Sequence, residues 1–340
     1  MLYKPEGSLD RPICLIGEAP AKEEMREGGP FRGQAGIVLN ECLHYAGIIR
    51  RDCYLTNVFD FPIYKKGSGE RSDRLYRAGD DTLLFSGSKF TLEGLKSRDR
   101  LLDEIRNCKA NVYVTMGNPA MYALLERVGI TKWRGSILRG PNGRKVIPVI
   151  HPAATLVGRG PFEWRSLIKL DLKRVALQSK FSQIEPIPYE FSLHPSFDEC
   201  ISFLRYIKDN KRQFAYDIEV ANHQISRISF AISSYRCITI PFNSRKLTEE
   251  EELELWLWVA DVMEDEEIEK IGHNSCMFDN WFFIDRNHIF PKGVVKDTMI
   301  AWSLMYPEFE KSLALITSLF TEQPYYKDMV KHGRVENEYG

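Results

Sequence analysis

The stretch from Gly17 to Gly36 constrains the fold of this chain more than any other. The apolar run Pro12-Ile13-Cys14-Leu15-Ile16 leads into it, and Ile37, Leu39, Leu43 and Ala46 leave it at helical spacing. That order reads as a strand, a long glycine-studded loop and a helix. In an open α/β sheet the loops at the carboxyl ends of the strands form the ligand crevice, so this loop sits where chemistry is normally placed. Its glycines, Gly17 among them, let backbone N–H groups approach a ligand, while Glu18, Glu24 and Phe31 supply two carboxylates and an aromatic face. Loop composition alone fits equally well a Gly/Pro-rich connector whose acids are merely solvated.

The rest of the first half alternates strand and helix patterns. Strands are expected over residues 12–16, 53–58, 111–116 and 145–150, with helices near 35–47, 91–108, 118–127 and 162–178. This is the pattern of a three-layer α/β/α domain with a mainly parallel sheet. The polar, Gly/Ser-rich segments Arg26 to Arg32 and Tyr64 to Lys89 read as exposed loops. The second carries Lys65, Lys66, Arg71, Arg74 and Arg77, which suit a path along phosphates as well as a solvated surface. Two alternating prolines, Pro186 and Pro188, disfavour both helix and central strand, so residues 182–190 read as a linker between domains over 1–181 and 191–340.

A 340-residue chain with 44% hydrophobic content can bury two ordinary cores. Its apolar runs are shorter than a membrane span, and its start turns polar too early for a signal peptide, so a cytoplasmic protein with no membrane partner is expected. The cysteines, at 14, 42, 53, 108, 200, 237 and 276, form no close pair and no C-x-x-C. They therefore indicate reduced, buried thiols rather than a disulfide framework or zinc ribbon. No phosphate-cradling G-x-x-x-x-G-K-(S/T) occurs, which argues against a nucleotide hydrolase. Residues 1–185 hold 30 Lys+Arg against 21 Asp+Glu, leaving 16 against 26 for residues 186–340. A basic first half suits a polyanion and an acidic second half suits metal ions, although unequal solvated surfaces also arise by chance.

Gly17-Glu18-Ala19-Pro20, the acids after it, and Gly28-Gly29-Pro30-Phe31-Arg32-Gly33-Gln34-Ala35-Gly36 together resemble the first motif of the family 4 uracil-DNA glycosylases. Thr56-Asn57 and His151-Pro152-Ala153-Ala154 follow at compatible places, and three ordered motifs are far less frequent by chance than one glycine loop. The resemblance covers about the first half of the chain. It implies that a uracil flipped out of DNA stacks on Phe31 and is read by Asn57. It also implies that Glu24 crowds the pyrimidine C5 position, that Glu18 positions water or stabilises charge on the sugar, and that His151 hydrogen-bonds the departing base. No metal is needed for that reaction. Residue by residue the plainer readings stay open: Phe31 packed under its loop, Asn57 capping a turn, His151 a buried hydrogen-bonding side chain. The family's four-cysteine iron–sulfur cluster is not expected, because Cys108 lacks companions. Ala21 replaces a family glycine.

In the second half, Phe214-Ala215-Tyr216-Asp217-Ile218-Glu219-Val220 reads as a strand with Asp217 and Glu219 on one face, where they repel unless a cation or proton lies between them. With Gly272-His273-Asn274, Phe278-Asp279, the Asp297-Thr298-Met299-Ile300-Ala301 run and Ser312-Leu313, the segment resembles the 3′-5′ exonuclease domain of family A DNA polymerases. That implies a ribonuclease-H-like mixed sheet and two divalent ions, Mg2+ or Mn2+, on Asp217, Glu219 and Asp279. The family's last motif, Y-x-x-x-D, is missing: Tyr325 to Asp328 is one residue short, and Tyr306 to Glu310 ends in the wrong acid. The expectation is the N-terminal part of a phage-type or bacterial polymerase, with DNA (uracil-containing and 3′ single-stranded) as partner. The missing motif would come from a downstream polymerase portion or another replication subunit. A rival reading keeps the fold without the chemistry: a DNA-holding or uracil-sensing module.

Overall fold

The computed structural model describes residues 3–63, 76–78, 88–90, 92–242 and 247–323. Through the first half the elements run β1 (Ile13–Gly17), α1 (Lys22–Glu27), α2 (Gln34–Tyr45), β2 (Cys53–Asn57), β3 (Tyr76–Ala78), β4 (Ser88–Phe90), α3 (Leu92–Glu104), β5 (Val112–Met116), α4 (Asn118–Leu125), α5 (Ile130–Trp133), β6 (Leu138–Arg139), β7 (Lys145–Val149) and α6 (Trp164–Gln178). Then come β8 (Glu190–Ser192), α7 (Phe197–Asp209), β9 (Phe214–Ala221), β10 (Gln224–Ala231), β11 (Arg236–Pro241), α8 (Glu249–Met263), β12 (Lys270–Gly272), α9 (Asp279–Asn287), β13 (Val295–Asp297), α10 (Thr298–Met305) and α11 (Leu313–Phe320). The chain divides into one compact unit of residues 1–185 with 314 onward, and another of 186–313. Thus α11, inside the 191–340 stretch read as the second domain, packs with the first unit.

The first unit is built on a sheet of order β2-β1-β5-β7-β6, parallel throughout except for the short β6 against β7. Strands β1, β2, β5 and β7 are buried at every position. This is the signature of parallel strands covered on both faces, and it explains their continuous apolar runs. Register places Gly17 opposite Asn57, so the two loop entrances lie side by side at the carboxyl edge. The Tyr64 to Lys89 segment is not all loop: β3 and β4 pair antiparallel within and beside it. Lys65, Lys66, Arg71 and Arg74 lie outside the described residues, as does the Tyr325 to Asp328 stretch.

The second unit carries the mixed sheet expected of a ribonuclease-H-like fold, in the order β13-β12-β9-β10-β11-β8. Strands β9, β10 and β11 form an antiparallel meander, while β12 and β13 run parallel to β9. Alternation on β9 buries Phe214, Tyr216 and Ile218 and leaves Asp217 and Glu219 exposed on the other face. Helices α7 and α8 start with reciprocal caps, Ser196 with Glu199 and Thr248 with Glu251, which satisfy backbone donors that helix geometry leaves orphaned. Lys270, fully buried, donates to the carbonyls of Asp265, Ile268 and Lys292, and burial pulls its ammonium down to about 8.

Candidate active site

Gly17, Phe31 and Asn57 converge at the carboxyl end of β1. A Cβ on Gly17 would stand 2.3 Å from Asn57 Oδ1 and 2.6 Å from Phe31 Cζ, so only glycine lets the amide and the ring meet there. Gly36 serves the same corner: its Cβ would fall 1.9 Å from the Phe31 carbonyl oxygen. Phe31 itself adopts φ +51°, a left-handed conformation costly for a bulky side chain, and such strain concentrates at functional sites. Its loop is tied down by Arg50, which donates to the carbonyls of Pro30 at 2.8 Å and Phe31 at 3.4 Å while pairing through both Nε and Nη2 with Glu6.

Glu24 is buried, and its carboxylate accepts from the backbone N–H groups of Ala21 (3.0 Å), Arg32 (2.9 Å) and Gly33 (2.9 Å). The acid expected to crowd the pyrimidine thus also holds the loop in shape, closing a cap on α1 over Ala21. Asn57 is 3% exposed, and its Nδ2 donates to the Tyr3 hydroxyl at 2.8 Å. Behind it, Arg100 on α3 donates to the carbonyls of Asn57 (2.8 Å) and Val58 (3.0 Å) and pairs with Glu104, which accepts from the Tyr54 hydroxyl.

His151 follows β7. Its Nδ1 accepts from the Ala153 N–H at 3.1 Å, capping the short turn that follows, so a neutral ring carries its proton on Nε2 and is a donor there. Its ring lies 5.8 Å from that of Phe31, at 31°. Glu18, Glu24, Phe31, Asn57 and His151 line one cavity of about 250 Å3, together with Ala21, Gln34, Ile63, Leu156 and Arg159 among others. That is slightly below the roughly 300–1,000 Å3 of pockets for drug-sized ligands, a size suited to a single base. Residues drawn from the three segments that follow β1, β2 and β7 therefore share one enclosure with a flat ring, an amide, a carboxylate and an imidazole donor. Tyr3, Glu6, Arg50 and Arg100 escape the sequence reading, because each acts through partners many positions away.

Cys14 and Cys108 are neighbouring buried thiols, with burial pushing Cys14 up and the Cys14 contact pulling Cys108 down. Cys42 and Cys53 are buried as separate thiols. Among the described residues no three His, Cys, Asp or Glu side chains gather to hold a metal.

In the second unit Asp279 opens α9 and accepts from the Ile218 N–H at 3.0 Å, which brings it to Asp217. Burial, then the Asp217 charge, pushes the Asp279 carboxyl up to about 6, while burial and then Glu219 raise Asp217, eased by His273. Asp279 thus lies beside Asp217, with Glu219 flanking Asp217 on β9. The three do not close into a shared metal cage. Asp297, near them in the fold, is committed elsewhere. Burial opposes its charge, but the N–H groups of Cys276, Asn274, Met299 and Ile300 outweigh it and hold the carboxyl below its usual range.

Among solved structures, the Aedes aegypti Nibbler EXO domain is 14% identical with a TM-score of 0.30, over 40% of this chain and 72% of that one. Agreement this loose says nothing of what the second unit does. A type-4 uracil-DNA glycosylase of Thermotoga maritima is 31% identical over 173 residues, spanning 50% of this chain and 78% of the relative. One from Archaeoglobus fulgidus is 29% identical over 160 residues, spanning 44% and 69%. The model of the uracil DNA glycosylase superfamily matches residues 4–173, the same residues whose loops build the cavity, and on this the chain belongs to that superfamily.

Proposed function

We propose that the first unit excises uracil from DNA by hydrolysing the bond between base and sugar, which makes the chain a hydrolase acting on DNA. The observation that carries this reading is the convergence of Glu18, Phe31, Asn57 and His151 on one base-sized cavity at the carboxyl edge of the sheet. A flipped uracil stacks on Phe31 and offers its edge to the Asn57 amide, which both donates and accepts. Glu24 on the cavity wall is assigned to crowd the pyrimidine C5 position and so disfavour thymine. As the bond breaks, negative charge grows on the base and positive charge on the sugar. The Nε2 proton of His151 meets the first and the Glu18 carboxylate the second, and fixed groups of this kind lower barriers by several kcal/mol.

The order of the exonuclease-type motifs in residues 214–301 supports a further part of the proposal, that the chain works with a DNA polymerase. The second unit supplies the neighbouring acids Asp217 and Asp279, with Glu219 beside Asp217. On its own it is expected to degrade primers weakly or not at all with Mg2+ or Mn2+. Primer degradation by this chain that Asp217→Ala abolishes would contradict that expectation.

Release of free uracil from a single-stranded oligonucleotide tests the main proposal, comparing the wild type with Asn57→Ala and His151→Ala. Loss of release with retained DNA binding in the variants supports catalysis. No release by the wild type supports the DNA-holding module instead.

A further inference from the structure

We propose that Tyr3 is a positioning residue that fixes which way the Asn57 amide faces, and thereby sets the preference for uracil over cytosine. The inference rests on the uracil-excising reading of the cavity. Uracil offers an N3–H donor beside the O4 acceptor; cytosine offers an N3 acceptor beside an N4 amino donor. An amide whose nitrogen meets O4 and whose oxygen meets N3–H reads uracil, and the same amide turned over reads cytosine. The two ends of an amide are nearly alike in shape, so only its hydrogen-bond neighbours choose between them.

Here the neighbour is the Tyr3 hydroxyl, which accepts from Nδ2 at 2.8 Å. Both residues are buried, Tyr3 at 8% exposure and Asn57 at 3%, so water cannot replace the contact. A hydroxyl can donate as well as accept, and its surroundings decide which. Burial, then the Glu104 and Glu24 carboxylates against the opposing Arg100, keep the phenol strongly protonated. Those negative groups draw the O–H dipole to their own side and leave a lone pair for Asn57. Arg100 anchors the Asn57 backbone, so turning the amide is the freedom that remains. The segment carrying Tyr3 is itself fixed, with the Lys4 N–H bonded to the Gly28 carbonyl at 3.1 Å and the Glu6 N–H to that of Leu55 at 2.9 Å.

The test is release of uracil and of cytosine from otherwise identical single-stranded oligonucleotides by the full chain, wild type against Tyr3→Phe and Glu104→Gln. Tyr3→Phe is expected to lower the uracil-to-cytosine ratio of kcat/KM by about tenfold or more, the scale of a two-bond base reading. A merely structural role would lower both rates together and leave the ratio alone. If Tyr3→Phe fails to fold, Glu104→Gln, which keeps the hydroxyl and removes the charge that orients it, should lower the ratio in the same sense. Uracil release with an unchanged ratio overturns this inference alone. No release by the wild type overturns the uracil-excising reading and this inference with it.

Discussion

Gly17 has no room for even a methyl group, and the atoms it would strike are the amide and the ring that would read a base. Gly17→Ala should fold, since its backbone conformation needs no glycine. It should lose uracil release by about a hundredfold, the usual penalty for a misplacement of about 1 Å at a reacting centre. Single-turnover kinetics beside a thermal melt check both halves of that statement. A second residue-scale prediction concerns Asp279. A carboxyl raised in the folded state holds its proton more tightly there than in the unfolded chain. Its contribution to stability is therefore full below about pH 4 and is lost as pH rises through about 6. In metal-free buffer Asp279→Asn should exceed the wild type by about 2 kcal/mol at pH 8 and match it at pH 4. A variant less stable at pH 8 would contradict the repulsion argued for Asp217 and Asp279. At this scale the sequence showed Glu18, Phe31, Asn57 and His151, because each sits inside a short run of fixed spacing. It could not show Tyr3, 54 positions from Asn57, or Arg50, 44 from Glu6, since only the fold brings such pairs together.

The loop between β1 and α2 holds its shape through Arg50 and Glu24 rather than through a hydrophobic core of its own. Arg50→Ala frees the Pro30 and Phe31 carbonyls and the strained Phe31 backbone. The expected outcome is a KM for uracil-containing DNA raised about tenfold with a smaller change in kcat, measured by steady-state kinetics. In the second unit, Thr248→Ala removes one arm of the cap that opens α8 and should cost about 1 kcal/mol in chemical denaturation. Elements of this size were legible where apolar spacing ran long enough to show a period, as in the four long parallel strands and in α7, α8 and α9's neighbourhood of motifs. The two- and three-residue strands β3, β4, β6 and β8 are too short to show a period, and β3 and most of β4 fall in the polar segment that reads as loop. Helix α1, six residues in a polar stretch, was missed for the same reason.

On the scale of the molecule, the first unit continues past residue 313. Arg134 is buried against Asp171 and donates to the Ser318 hydroxyl, and Arg174 donates to the carbonyls of Ser318, Leu319 and Thr321 at the end of α11. Deleting residues 314–340 should therefore destabilise the first unit by about 1–3 kcal/mol, because buried arginine donors lose their acceptors, and a melt of the truncated chain checks this. Sequence composition marked the prolines near residue 186 as a break, but a helix returning to the first unit leaves no trace in composition or charge. The account as a whole rests on one cavity that reads a single base through Asn57. Side-chain amide resonances of Asn57, followed by NMR as free uracil or thymine is added, test that most directly. The account predicts that uracil shifts them and thymine does not. Equal response to both bases, or none to uracil, would contradict it.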